Sequence, residues 1–317
     1  MNDLNRRQAL SSSLAAAGAI SGIAAGIGCV GAAVRPAAAS PAARTAAAPP
    51  FIETRDGARL FHLDWGTGKP VVFLHAWALN ADLWEYQMVE LAERGLRCVA
   101  YDRRGHGRSS DPGHGYDFDT LADDLAAVLD RLDLHDVTLV GHSMGGGEIA
   151  RYLARHGTAR IARAVLTSAI TPIVGRRPDY PEGTDPRVYD GLVAALKNDR
   201  PAALTGGVSL FTGARDVSPE LSRWLVDQFL RSSPRAIIEY MRAVGAADFR
   251  GDMRAFTIPT LIIHGDADQL NPLDKTARPT AQAIRGSELR VYPGAPHGLP
   301  VTDRERFTQD LLGFARG

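Results

Sequence analysis

The sequence predicts an α/β fold, with a mostly parallel central sheet flanked by helices, and three observations carry that prediction. Short, nearly continuous apolar runs recur at residues 71–74, 96–101, 137–140, 164–167, 260–263 and 289–292, as expected of parallel strands buried on both faces. Helix-like stretches lie between them at 82–94, 120–132, 146–156 and 304–315, and strands alternating with helices imply right-handed crossovers within one sheet. Finally, Gly141-His142-Ser143-Met144-Gly145 joins a strand-like run directly to a helix-like one.

The N-terminus stands apart from that pattern. Arg6 and Arg7 precede residues 10–34, which are uncharged and rich in Ala and Gly; Arg35-Pro36 and the small-residue run Ala37-Ala38-Ala39-Ser40 follow. Residues 1–39 therefore have the layout of a cleaved export signal. The paired arginines resemble the twin-arginine type, which exports folded proteins. A membrane anchor and a lipoprotein signal at Cys29 are the competing readings; weak hydrophobicity and the cleavage-like run favour removal. The expected location is periplasmic or secreted, with no stable membrane association once the signal is gone. Gly26-Ile27-Gly28-Cys29-Val30-Gly31 satisfies G-x-G-x-x-G, but it lacks the strand–turn–helix setting of a dinucleotide site.

Charge and cysteine content narrow the partners. The 317 residues carry 36 basic and 36 acidic side chains, and net neutrality argues against a general nucleic-acid binder. Removing residues 1–39 takes away three arginines and one aspartate, moving the formal charge from zero to −2. Cys98 is then left alone in an apolar run and reads as a small buried hydrophobe.

Residues 40–50 are Ala/Pro-rich and read as a linker. Residues 51–65 resemble a hairpin turned by Asp56-Gly57. The core occupies 51–170 and resumes at 257–317. Between them, residues 171–256 show no convincing strand, only helix-like pieces such as 218–231 and 235–244. So long a connection must be a helical insertion after the sixth strand, expected to act as a lid.

The Gly-x-Ser-x-Gly junction carries the chemistry. A sharp turn between strand and helix leaves no room for side chains two residues either side of Ser143 and pushes its hydroxyl into the open. The first turn of the following helix offers free N–H groups to an oxygen that becomes negative during reaction. A serine nucleophile needs a base and an acid that orients it, in the chain order Ser, Asp or Glu, His. Of the histidines after Ser143, His156 lies on the helix leaving the turn and His264 precedes the candidate acids. His297, in a turn after the last predicted strand, is the base by elimination and context. For the acid, Gly265-Asp266-Ala267-Asp268 offers two carboxylates that spacing does not separate, although Asp266 suits a turn contact.

These segments, with Leu83-Trp84-Glu85-Tyr86-Gln87, Tyr101-Asp102-Arg103-Arg104-Gly105-His106-Gly107-Arg108-Ser109, Gly115-Tyr116-Asp117-Phe118-Asp119-Thr120, residues 137–151 and Ala295-Pro296-His297-Gly298, resemble the α/β-hydrolase superfamily. Within it they are most similar to the arylesterases related to cofactor-free haloperoxidases and perhydrolases. The resemblance spans about 51–314. It selects Asp268 as the acid and implies an oxyanion hole built from the backbone N–H groups of Trp77 and Met144. Ala76 stands where the family has glycine; were that position left-handed, alanine would carry a backbone penalty.

The resemblance further implies a serine esterase for small, rather apolar esters, needing no cofactor and no metal. Hydrogen peroxide replaces water in related enzymes and gives a peracid. Trp77, Leu270, Asn271 and Leu299 are the expected pocket residues. A lactonase, an amidase or a C–C bond hydrolase would use the same triad, and a non-catalytic binding member would keep the fold. Self-association into dimers or larger rings is open on the same ground. Other tempting residues have plainer readings: His142 as packing, His75 as a loop hydrogen bond, and Asp102-Arg103-Arg104 with Arg108 as a structural loop. Asp119, Asp123, Asp124 and Asp130, at helical spacing, read as a solvated face rather than a metal cluster.

Overall fold

Phe51–Glu53 (β1) and Arg59–Gly66 (β2) pair antiparallel as the expected hairpin, with Phe51 opposite Phe61. Gly57 takes the positive φ of +84° that the turn between them requires. The computed structural model describes residues 50–317; the expected export signal and nearly all of the 40–50 linker lie outside the described residues. The remaining strands are Pro70–Leu74 (β3), Arg97–Tyr101 (β4), Val137–His142 (β5), Ile161–Thr167 (β6), Thr260–Gly265 (β7) and Glu288–Tyr292 (β8). Among the described residues these eight form one sheet in the order β1-β2-β4-β3-β5-β6-β7-β8, parallel from β4 onward. Beginning near the middle with β3 and working to both edges places the ends of β3 and β5 side by side, where crevices form in open α/β sheets.

Helices cover both faces. Glu85–Glu93 (α1), Phe118–Arg131 (α2) and Met144–His156 (α3) precede the insertion, and Ala277–Ala283 (α8), Leu299–Thr302 (α9) and Arg304–Arg316 (α10) follow it. Between β6 and β7 lie Pro186–Asn198 (α4), Arg200–Thr212 (α5), Pro219–Leu230 (α6) and Pro234–Ala246 (α7). Each of these four starts with proline in its first turn and an Asp or Ser cap, a sharp start that needs no neighbour to define it. Leu204, Phe211, Leu225, Phe229 and Ile237 of the insertion are buried in the apolar cluster on one sheet face, with Val71, Phe73 and Val140.

Cys98 is fully buried, and burial pushes its thiol up to about 12, as suits a hydrophobe rather than a nucleophile. Of the four aspartates expected to be solvated, Asp119, Asp123 and Asp130 pair at the surface with Arg151, Arg155, His156 and Arg160. Asp124 differs: it is buried and grips the buried Arg104 through both oxygens, at 2.6 and 2.7 Å. Its position on α2 gives it helical spacing with its neighbours but turns it toward the sheet.

Candidate active site

β5 runs straight into Ser143, whose φ of +55° and ψ of −112° lie outside the ordinary regions for a residue with a side chain. Close packing imposes that strain. A Cβ on Gly145 would collide with the Leu74 carbonyl, and one on Gly141 would collide with the Gly145 carbonyl, so the turn sits against β3 with no slack. The backbone is held at both ends: Ser143 N–H donates to Thr167 O at 2.9 Å, and Ser143 O accepts from Gly146 N–H at 3.0 Å. α3 therefore begins at Met144, two residues before the sequence-based start at 146. Its run of glycines is needed where Ala169 and Phe249 crowd Gly146 and Gly147.

His297 and Asp268 meet beside this turn. His297 Nδ1 lies 2.8 Å from Asp268 Oδ2. Asp268 Oδ1 accepts from the N–H groups of Leu270 and Asn271 at 3.0 and 2.8 Å. Burial pushes the Asp268 carboxyl up, but His297, His264 and the Asn271 N–H together hold it below the usual carboxylate range. Asp266 is exposed and accepts from Gly294 N–H at 2.6 Å, bracing the loop that leads to His297. Between the two carboxylates that spacing left open, geometry thus puts Asp268 on the histidine. Its ring nitrogen Nδ1 must carry the proton to that carboxylate, leaving Nε2 as the basic nitrogen.

Two further histidines close around the pair. His142, beside Ser143, lies with Nε2 2.9 Å from the His297 carbonyl, so it donates there; burial depresses it to about 3 and keeps it neutral. His264 Nε2 lies 2.7 Å from the Asn271 carbonyl and 3.4 Å from Asp268 Oδ2. His142 was expected to be packing alone; the hydrogen bond to His297 was not legible because its acceptor is a backbone atom 155 residues away. Among the described residues no hydrogen bond joins Ser143 Oγ to His297, a bond that often tightens only when substrate binds. His156 pairs with Asp123 on the surface, away from the group.

The β3–α1 loop supplies the other wall. Among the described residues neither Trp77 N–H nor Met144 N–H has a protein acceptor, so both are free to donate to a ligand. The left-handed position in this loop is Ala78, at φ +60°, immediately after Trp77, and not Ala76. Ala76 itself is buried, and its carbonyl receives the His75 Nδ1 proton at 2.8 Å. The expected loop hydrogen bond of His75 is therefore present, and the alanine at 76 carries no left-handed cost.

The insertion is fastened to both walls. Phe211 O at the end of α5 accepts from Gly298 N–H at 2.7 Å, and the Phe211 ring stands edge-on to His297 with centroids 5.9 Å apart. On the other side Trp77 Nε1–H donates to Ile237 O at 2.8 Å, and Ser232 Oγ donates to Ala78 O at 2.8 Å. Of the other expected pocket residues, Leu270 is 45% exposed, while Leu299 is wholly buried in the apolar cluster with Phe211. Asn271 spends its side-chain amide on Ser168 O at 2.7 Å, so it supports the Asp268 loop.

Arg103 and Arg104, expected in a structural loop, are both buried and both paired, Arg103 with Glu148 and Arg104 with Asp124. Among the described residues no three His, Cys, Asp or Glu side chains are grouped to hold a metal ion, and no helix is long and apolar enough to cross a membrane.

Comparison with known proteins matches residues 69–303 to the family model described as alpha/beta hydrolase fold. The non-heme chloroperoxidase CPO-A1 of Kitasatospora aureofaciens is 44% identical over 84% of this chain and 98% of its own length. The bifunctional esterase/perhydrolase DCH of Acinetobacter calcoaceticus is 37% identical over 84% of this chain and 99% of its own. Among solved structures, the esterase EaEST from Exiguobacterium antarcticum superposes with a TM-score of 0.82 at 36% identity, covering 84% of this chain and 99% of that one.

Proposed function

The chain belongs to the α/β-hydrolase family, and from that premise we propose that it is a serine esterase acting on small carboxylic esters through an acyl-enzyme. The observation that carries the reading is the buried Asp268–His297 pair at 2.8 Å, set beside a strained Ser143 with two unpartnered N–H groups nearby. Ser143 Oγ attacks the ester carbonyl as His297 Nε2 takes its proton. The Trp77 and Met144 amides receive the negative oxygen of the tetrahedral intermediate, each such donor lowering the barrier by roughly 2.7–4 kcal/mol. His297 then passes the proton to the departing alcohol oxygen, and the acyl group stays on Ser143. Water, deprotonated by the same nitrogen, attacks the acyl carbon and releases the acid.

The relatives named chloroperoxidase and esterase/perhydrolase favour a second activity at the same centre. Hydrogen peroxide in place of water would attack the acyl-enzyme and release a peracid. The segment carrying α4–α7 serves as the lid, and residues 1–39 as a twin-arginine-type export signal. Replacing Arg6 and Arg7 with Lys should hold the protein inside the cell; undiminished export would remove that assignment.

The direct test is hydrolysis of p-nitrophenyl acetate and longer acyl esters by the wild type and by Ser143→Ala. Equal rates in the two would overturn the esterase reading. A burst of p-nitrophenol equal to the enzyme concentration supports the acyl-enzyme.

A further inference from the structure

The order β4-β3-β5 leaves the two oxyanion donors on neighbouring strand ends, Trp77 after β3 and Met144 after β5. Nothing in a parallel sheet fixes the separation of two such loops to a few tenths of an ångström. Arg103, in the loop after β4, reaches across the end of β3 to both. Its Nε pairs with Glu148 Oε2 on α3, while Nη2 donates to His75 O and Nη1 lies 2.9 Å from His75 Nδ1 and 3.5 Å from Ala76 O. Its backbone N–H donates to His75 Nε2 at 3.1 Å. Glu148 stands four residues after Met144, so its side chain leans back over the first turn of α3. Tyr101 Oη donates to its second oxygen. Arg103 and Glu148 side chains are both 0% exposed.

We propose that Arg103 is a positioning residue that sets the working separation of the Trp77 and Met144 donors, by joining the β3–α1 loop to the first turns of α3. The role rests on those two amides acting as the oxyanion hole. A buried ion pair is poor value as a stabiliser, since well-packed apolar side chains of similar volume often do as well or better. A planar fork that binds a carboxylate on one edge and carbonyls on the other does what apolar packing cannot, which is to fix direction and distance. The geometry that the fork imposes matters most when charge develops on the substrate oxygen. Its loss should therefore lower kcat and leave KM nearly alone.

Two variants separate this from a structural role. Arg103→Lys keeps a charge for Glu148 but loses the fork. Arg103→Met with Glu148→Gln removes the pair together and leaves no buried charge. Labelling of Ser143 by a fluorophosphonate reads the site whichever ester is the substrate. In that reaction the Ser143 oxygen bonds to phosphorus as fluoride leaves, and negative charge gathers on the phosphoryl oxygen in the five-coordinate transition state. The expected result is labelling and kcat slowed about 10–100-fold in both variants, KM for p-nitrophenyl acetate changed by less than about threefold, and melting of Arg103→Lys near wild type. Wild-type labelling rates in the two variants would overturn this assignment alone. So would a rise in KM at unchanged kcat. Failure of the wild type to label at Ser143 would overturn the active-site reading, and this one with it.

Discussion

The Nε2–H of His142 donates to the backbone carbonyl of His297 at 2.9 Å, so the residue before the strained serine holds the loop that carries the Asp268-paired histidine. The ring also packs edge-on against Phe211 and Trp84. His142→Phe keeps that packing and removes the hydrogen bond. A bond worth about 0.5–1.5 kcal/mol predicts a fall in kcat of roughly 3–10-fold with KM unchanged, measured by steady-state ester hydrolysis.

Asp268→Asn should cost far more. The amide would present the wrong donor pattern to His297 Nδ1, and in serine hydrolases of another fold that change lowers kcat about 10⁴-fold. Asp266→Asn touches only the Gly294 turn and should leave kcat within a few-fold of wild type. Comparable losses in both variants would contradict the division between the two carboxylates.

Gly145→Ala tests the packing of the turn. Its Cβ would meet the Leu74 carbonyl, a backbone atom that cannot swing aside. Overpacking of this kind costs typically about 1–3 kcal/mol, read from the denaturant midpoint. Because the displaced atoms adjoin Met144 N–H and Ser143, activity should fall further than the lost stability explains.

Stability should fall early on acidification. His106 and His142 are each depressed to about 3 by burial, against an ordinary value of 6.5. Above pH 6.5 both are neutral in the native and unfolded chains. Below it the unfolded chain takes up protons that the native state refuses. Stability present at neutral pH is thus lost as pH falls from 6.5 toward 3, at up to about 1.4 kcal/mol per pH unit for each histidine. Urea unfolding at pH 7, 6 and 5 checks the slope, which His142→Phe should reduce by one histidine's share.

The strands and the serine turn were legible because buried parallel strands leave short apolar runs and because the turn demands small residues at fixed positions. Spacing did not separate Asp266 from Asp268, since they share one loop and only the fold says which faces His297. α5 gave no periodic signal: Leu204, Val208 and Phe211 are buried, but its other positions are mostly Ala, Gly and Thr, with little polar contrast across the helix. Asp124 was misread because helical spacing tells which residues share a helix, not which of them faces a buried arginine. Nor could the concern over Ala76 be resolved from letters, because backbone sign at a loop position is a property of the whole β3–α1 connection.

The insertion closes its hydrogen bonds on Gly298, next to His297, and on Trp77, in the β3–α1 loop. It is therefore not a separable module of the fold. A foreign insertion grafted here would have to present carbonyl oxygens where Phe211 and Ile237 now do, or the exchange would leave the Gly298 and Trp77 donors unanswered and let both loops shift.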